Sequence, residues 1–128
     1  MTAVLDASAV LTLLYREPGH DQVAELIGGA VVCTVNWTEI VQKLAQRGHP
    51  DPAAAAEGVR SLGVHVLPFT PADAVCAGLL WPKTRGAGLS LGDRACLAVA
   101  QGIAEGVAVT ADQAWVGLDI KVPVQLIR

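Results

Sequence analysis

Residues 89–115 read LSLGDRACLAVAQGIAEGVAVTADQAW, and the order of elements in this stretch decides the fold. Ser90 to Glu105 is a strong helical segment closed by Gly106. Val107 to Thr110 then forms a short apolar strand, and Asp112 to Val116 a helical turn. A helix that delivers the chain into a strand, with helical structure resuming at once, is the pattern of βα units. Such units build a parallel sheet covered by helices on both faces.

The same alternation runs outward through the chain. Ala3-Val4-Leu5 is a short apolar run ended by Asp6, and residues 7–15 fit a helix that begins just after it. Pro18-Gly19 punctuates that helix, and 20–27 reads as a second, short one stopped by Gly28-Gly29. Ala30 to Thr34 is apolar and β-branched, as a buried strand requires. Asn36 to Gln46 places Trp37, Ile40, Val41, Leu44 and Ala45 at helical spacing before Gly48 and Pro50. Pro52 to Leu62 is a further helix stopped by Gly63, and Val64 to Leu67 a strand ended by Pro68. Pro71 to Trp81 is a helix with proline in its first turn. Pro82 to Leu89 reads as a loop. Val122 to Ile127 is a last extended segment, and Pro123 places it at the start of an edge strand. The fold class is therefore α/β. The expectation is one domain over residues 1–128, a three-layer α/β/α sandwich around a central, mostly parallel sheet of four or five strands.

Composition narrows the function. The formal net charge of -3 argues against binding nucleic acid through bulk positive charge. It leaves room for a nuclease that meets phosphate through bound cations and a local basic patch. No apolar run approaches the roughly 20 residues of a membrane span. No Lys or Arg precedes Arg16, and Asp6 interrupts the apolar start, so a cytoplasmic protein without signal peptide is expected. Cys33, Cys76 and Cys96 are odd in number and lack C-x-x-C spacing, which favours buried thiols over disulfides or zinc. His20, His49 and His65 share no ligand spacing and are expected on the surface or at element ends.

The informative residues are acids at strand-to-helix junctions. Asp6 follows the first strand, Glu39 lies in the first turn after the second, and Asp112 follows the strand ending at Thr110. In open parallel sheets, ligands bind beyond the carboxyl ends of the strands. Three acids would thus converge on one edge, with Asp93 as a fourth if its helix begins there. Each also has an ordinary reading. Asp6 caps a helix, Asn36-x-x-Glu39 and Ser90-x-x-Asp93 have capping-box spacing, and Asp112 suits a helix dipole. The residues alone leave a shared site and four separate caps both open. Clustered carboxylates repel unless a cation compensates. An all-oxygen site without Cys or His suits Mg²⁺ or Mn²⁺, ions that support phosphodiester hydrolysis.

At this point the chain resembles the PIN domains, and within them the VapC-type toxins of prokaryotic toxin–antitoxin pairs. The resemblance rests on Val4-Leu5-Asp6-Ala7-Ser8, Asn36-Trp37-Thr38-Glu39-Ile40-Val41, Leu89 through Ala98, and Val109-Thr110-Ala111-Asp112-Gln113-Ala114-Trp115. An L-D-x-S start is weak alone. The L-x-x-x-D-x-x-x-L-A segment followed by T-x-D-x-x-W is far more specific, and the set spans nearly the whole chain. The resemblance implies a metal-dependent endoribonuclease. Its catalytic and metal-holding acids would be Asp6, Glu39, Asp93 and Asp112, binding one or two Mg²⁺ or Mn²⁺ ions. Ser8 and Thr110 resemble the small hydroxyl residues that hydrogen-bond those acids. It further implies an RNA substrate, a cognate antitoxin and, with exposed apolar helix faces, a homodimer. An antitoxin arginine would match the acids, with Leu11, Leu14 and Trp37 as a candidate docking surface.

Lys83, Arg85 and Arg94 lie near Asp93 in sequence and are candidates for RNA phosphates, or else solvated charges. Trp37, Trp81 and Trp115 are candidates for base stacking, although Trp115 occupies a packing position of the family. Asp119 reads as a surface-turn acid. Two other classes gather carboxylates at strand ends. A receiver-type phosphoacceptor needs paired acids near the start and a lysine after the last strand, and Lys121 lies before it. A haloacid-dehalogenase-like phosphatase needs a second Asp where Ser8 stands. A housekeeping PIN nuclease or a catalytically silent binding domain remains the alternative.

Overall fold

The computed structural model describes residues 1–128. Strand β1 (Thr2–Leu5) leads into α1 (Ala7–Leu14) and α2 (His20–Leu26). Strand β2 (Val31–Cys33) leads into α3 (Thr34–Gln46) and α4 (Pro52–Arg60), and β3 (His65–Leu67) into α5 (Pro71–Leu79), α6 (Trp81–Thr84) and α7 (Leu91–Gln101). Strands β4 (Gly106–Thr110) and β5 (Val124–Leu126) complete the chain, with 3₁₀ turns at Arg85–Ala87 and Gln113–Trp115. The sheet order is β3-β2-β1-β4-β5, and every pairing is parallel. This is the expected PIN-like α/β sandwich. No helix is long and apolar enough to cross a membrane.

The two faces follow from the two-residue period of the strands. On β1, Ala3 and Leu5 join the core beneath α1–α4, and Val4 joins the opposite core beneath α5–α7. Val32 and Val109 point one way; Val31, Cys33 and Ala108 point the other. Burying one such Val or Leu side chain contributes on the order of 2 kcal/mol. Strand crossovers are right-handed almost without exception. From β1 to β3 the chain steps one way along the sheet, so α1–α4 fall on one face. The step from β3 to β4 reverses direction, so α5–α7 fall on the other. The reversal lies between β1 and β4, and the crevice that opens there is the usual ligand site of such sheets.

Several boundaries differ from the sequence reading. The helix expected to run to Glu105 stops at Gln101, because Gly102 ends it and Glu105 adopts a left-handed φ of 57°. Residues 82–89 are not a plain loop. Pro82 sits in the first turn of α6, and buried Thr84 donates to the Leu80 carbonyl at 2.9 Å. Helix α3 starts two residues before Asn36, with Cys33 at its N-cap, so Asn36 lies inside the helix and not at its start. The last segment is extended only over Val124–Leu126, an edge strand directly after Pro123.

The turn between α1 and α2 is held against the C-terminal segment at Gly19. Its φ is +95°, and a Cβ there would fall on the carbonyl group of Ile127, with the carbonyl carbon at 2.9 Å. Backbone cannot yield as a side-chain tip can. Gly19→Ala should therefore cost roughly 2 kcal/mol or more, from left-handed strain of about 1–2 kcal/mol plus the clash. Chemical denaturation of the two proteins checks this, and an unchanged midpoint would contradict it.

Candidate metal centre

Asp6 is the residue at which the chain leaves β1. Its amide donates to the Val109 carbonyl at 3.1 Å, which continues the β1–β4 ladder past the strand end. Asp6 is 4% exposed, and its carboxylate accepts three hydrogen bonds. Ser8 Oγ donates to Oδ1 at 2.7 Å, the Ala9 amide to Oδ1 at 2.8 Å, and Thr110 Oγ1 to Oδ2 at 2.6 Å. The Ala9 bond makes Asp6 the N-cap of α1. Ser8 Oγ in turn accepts from the Ala111 amide, and Thr110 Oγ1 from the Asp112 amide. The two hydroxyls thus tie the ends of β1 and β4 into one block. Burial outweighs these bonds and pushes the Asp6 carboxyl up to about 6, with the nearby Asp93 charge adding to the shift.

Glu39 lies in the second turn of α3, held by Asn36. The Asn36 side chain is buried; its Nδ2 donates to Glu39 Oε1 at 2.8 Å and to the Gly92 carbonyl at 3.0 Å. Its Oδ1 accepts from Cys33 Sγ at 3.1 Å. The capping box expected from Asn36-x-x-Glu39 does not form. The same pair instead orients Glu39 and fastens α3 to the first turn of α7. A Cβ on Gly92 would fall on the Glu39 carboxylate, so glycine leaves the space that this acid occupies.

Asp93 and Asp112 are caps as well as candidates. Ser90 and Asp93 form a reciprocal capping box at the start of α7, with Asp93 Oδ2 accepting from the Ser90 amide at 2.9 Å. Asp112 Oδ1 accepts from the Ala114 amide at 2.9 Å and caps the 3₁₀ turn. Asp6, Glu39, Asp93 and Asp112 line one cleft of about 290 Å³ at the β1–β4 reversal. Burial pushes the Glu39 and Asp93 carboxyls up, and charge adds to both: Asp93 acts on Glu39, and Asp112 on Asp93.

A simple pattern unites these contacts. Glu39 Oε2, Asp93 Oδ1 and Asp112 Oδ2 accept no hydrogen bond, while the other oxygen of each is tied to an amide. Asp6 keeps one of its roughly four lone-pair positions. No three ligating side chains are drawn close enough to coordinate an ion as they stand. The four acids share a cleft and not a finished coordination sphere. Their chemistry nevertheless fits a hard divalent cation, since every free donor is a carboxylate oxygen and no thiol or imidazole lines the cleft.

The basic residues differ from those expected. Arg94 is buried in the core and donates to the Leu89 carbonyl at 2.9 Å, so its neighbour in sequence, Asp93, faces the cleft without it. Lys83 reaches Asp119 at 4.0 Å, and Arg85 lies over the Trp81 ring at 4.7 Å; neither lines the cleft. Lys43, Arg47 and Arg128 do line it. Their signal was present in the spacing 39, 43, 47, which puts Glu39, Lys43 and Arg47 on one helix face. Trp115 is 1% exposed and packs in the core, which removes it from base stacking. Leu11 is also buried in the core, so it presents no docking surface, and Leu14 and Trp37 are only partly exposed.

Comparison with known proteins agrees with this fold. The sequence profile of the family described as PIN domain matches residues 3–121. No curated protein matches the chain detectably in sequence. Among solved structures, the chain is similar to a toxin–antitoxin complex from Klebsiella pneumoniae, with a TM-score of 0.75 and 16% identity over 98% of each chain. It is also similar to DNA-bound VapBC from Salmonella typhimurium, with a TM-score of 0.76 and 15% identity over 100% of this chain and 99% of that one. VapBC2 from Rickettsia felis, bound to a promoter DNA fragment, gives 0.72 and 11% over 100% of both chains. At these identities the likeness establishes the fold.

The raised Asp6 carboxyl has a consequence for stability in chelator. Its folded value of about 6 exceeds the ordinary carboxyl value of 3.8, so the folded state holds this proton more tightly. The contribution is most favourable below about pH 4 and is lost as pH rises to about 6. Two pKa units correspond to about 3 kcal/mol, part of which Asp6→Asn should recover. Denaturant titrations in EDTA should show the variant more stable than wild type above pH 6, with the gap closing towards pH 4. A gap independent of pH would remove Asp6 as its source.

Proposed function

The chain belongs to the PIN-domain family, and from that premise we propose that it is a metal-dependent endoribonuclease, the toxin of a toxin–antitoxin pair. One observation carries the reading: four carboxylates meet in one cleft, Glu39, Asp93 and Asp112 each anchored through one oxygen and Asp6 through both, all with lone-pair capacity left to bind a cation. Asp6, Asp93 and Asp112 would hold Mg²⁺ or Mn²⁺, with Glu39 reaching it directly or through water. Such an ion supplies water activation near neutral pH and neutralises the leaving oxygen. The chain's own residues do the rest. Thr110 and Ser8 hold Asp6 in place, and Asn36 holds Glu39. Burial, with a smaller contribution from mutual repulsion, raises the carboxyls of Asp6, Glu39 and Asp93, and a bound cation would offset both for the ionised form.

The rest of the reading follows from the same features. The five strands form one sheet with both faces covered, which supports a single domain over residues 1–128. The free carboxylate oxygens suit an arginine of a cognate antitoxin. Val75 and Leu79, four residues apart on α5 and well exposed, support a homodimer. Three free cysteines fit a cytoplasmic setting.

The decisive experiment is cleavage of a panel of structured RNAs in Mg²⁺, Mn²⁺ and EDTA, with Asp93→Asn beside wild type. Wild type should cut only with metal, and the variant should lose at least about two orders of magnitude in rate, as removal of one transition-state stabilising group does. No histidine lines the cleft, so the products should carry a 5′-phosphate and a 3′-hydroxyl. A 2′,3′-cyclic phosphate would rule out the mechanism, and full activity of Asp93→Asn would rule out the site. Gly92→Ala should also abolish cleavage while the protein stays folded, because the new methyl displaces a flexible carboxylate and not backbone.

A further inference from the structure

The acidic cleft has a cationic wall. Lys43 and Arg47 follow Glu39 at successive four-residue steps on α3 and its C-cap, and both line the cleft with the acids. At 1.5 Å rise per residue they stand roughly 6 and 12 Å along the helix axis from Glu39. That interval is close to the separation of successive phosphates in an extended single strand. Neither residue enters an ion pair, whereas Arg128, also at the cleft, is engaged by Glu17 at 3.3 Å and by Thr12 at 3.2 Å. Two cations stand beside four carboxylates without an ion pair to any of them; the Lys43 charge eases the Glu39 carboxyl at a distance, and the N–H groups of both stay open to a ligand. Arg47 is also pre-organised. Its guanidinium lies 4.4 Å from the centroid of the Tyr15 ring, a stacking that leaves its N–H edge free for an oxyanion.

We propose that Lys43 and Arg47 bind consecutive phosphates on one side of the scissile bond, so that a single RNA strand runs along α3 away from Glu39. This rests on the reading of the cleft as an RNA-cutting site. The cleft volume of about 290 Å³ is that of a small-ligand pocket and accommodates one strand at the reacting centre. Lys43 and Arg47 are positioning residues: they contact the substrate backbone, carry no sequence preference, and hold the strand in register with the acids. Tyr15 acts through Arg47.

The test is steady-state cleavage of a short single-stranded oligoribonucleotide with Mg²⁺ across a salt series. It compares wild type, Lys43→Ala, Arg47→Ala, the double variant, and the charge-conserving Lys43→Arg and Arg47→Lys. Each alanine should raise KM roughly fivefold, the scale of an exposed charged contact, and leave kcat within about twofold. The slope of log kcat/KM against log salt should fall by roughly 0.7 per cation removed, the single-strand value. The charge-conserving variants should restore the slope. Lys121→Ala, at the opposite end of the sheet beside Met1 and Gly106, should leave the slope unchanged. An equal loss of slope in Lys121→Ala would trace the effect to net charge and overturn the proposal. So would alanine variants with wild-type KM and slope, or a fall in kcat at constant KM. If wild type cleaves no RNA at all, the reading of the site fails and the proposal fails with it; if wild type cleaves and the alanines behave like it, only the proposal fails.

Discussion

A hydroxyl bonded to a buried carboxylate holds this molecule's working edge together. Thr110 donates to Asp6 at 2.6 Å across the ends of β1 and β4, the point where the sheet reverses its strand order. Burying a carboxylate is costly unless donors surround it. Here three donors come from two distant stretches of sequence, residues 8–9 and Thr110, and each belongs to a group with a second structural task. Ser8 also receives the Ala111 amide, Thr110 the Asp112 amide, and Ala9 opens α1. Loosening Asp6 would therefore disturb the start of α1, the exit of β4 and the placement of Asp112 together.

The same economy recurs at the other acids. Sequence reading offered two explanations for each, helix cap or site residue, as if they competed. In the fold they are one arrangement. A cap orients a carboxylate by fixing one oxygen to the backbone, and the second oxygen then points at a defined place without any further support. Asp93 and Asp112 are positioned in this way, Asp6 with the help of two hydroxyls. Glu39 is longer and sits deeper in its helix, so it needs a dedicated side-chain partner, Asn36. That partner also grips the Gly92 carbonyl, and so the distance between the α3 and α7 acids is set by one buried amide group.

How much of this was legible beforehand depended on the range of the interaction concerned. The sheet, its parallel sense and the edge holding the acids followed from local patterns: apolar β-branched runs, helical spacing, and acids at the exits of strands. The convergence of Asp6, Glu39 and Asp112 was one of two readings the residues left open, because each follows a strand of one parallel sheet; Asp93 depended on where α7 begins, which local pattern does not give. Asn36 was misread because helix α3 begins two residues earlier than its polar start suggests; Cys33 caps it without a side-chain bond, which leaves no sequence mark. Arg94 was misread because adjacency to Asp93 in sequence says nothing about direction on a helix, where neighbours diverge by about 100°. The spacing of Lys43 and Arg47 from Glu39 is written in the sequence, but only the packing of α3 shows that this face looks into the cleft.

Anchoring Glu39, Asp93 and Asp112 each through one oxygen has a bearing on how such a protein can change over generations. An amide is nearly the same size as a carboxylate and can accept the same backbone hydrogen bond, so a single Asp-to-Asn exchange at a cap preserves the local fold while withdrawing a charge. On the proposed reading of the site, a lineage built this way has an easy path from cutting to merely binding, with no unstable ancestor in between. Asn36 imposes the opposite condition. Its two donors and one acceptor are all engaged inside the protein, so few replacements satisfy them, and drift there is confined even though the residue need never touch a substrate.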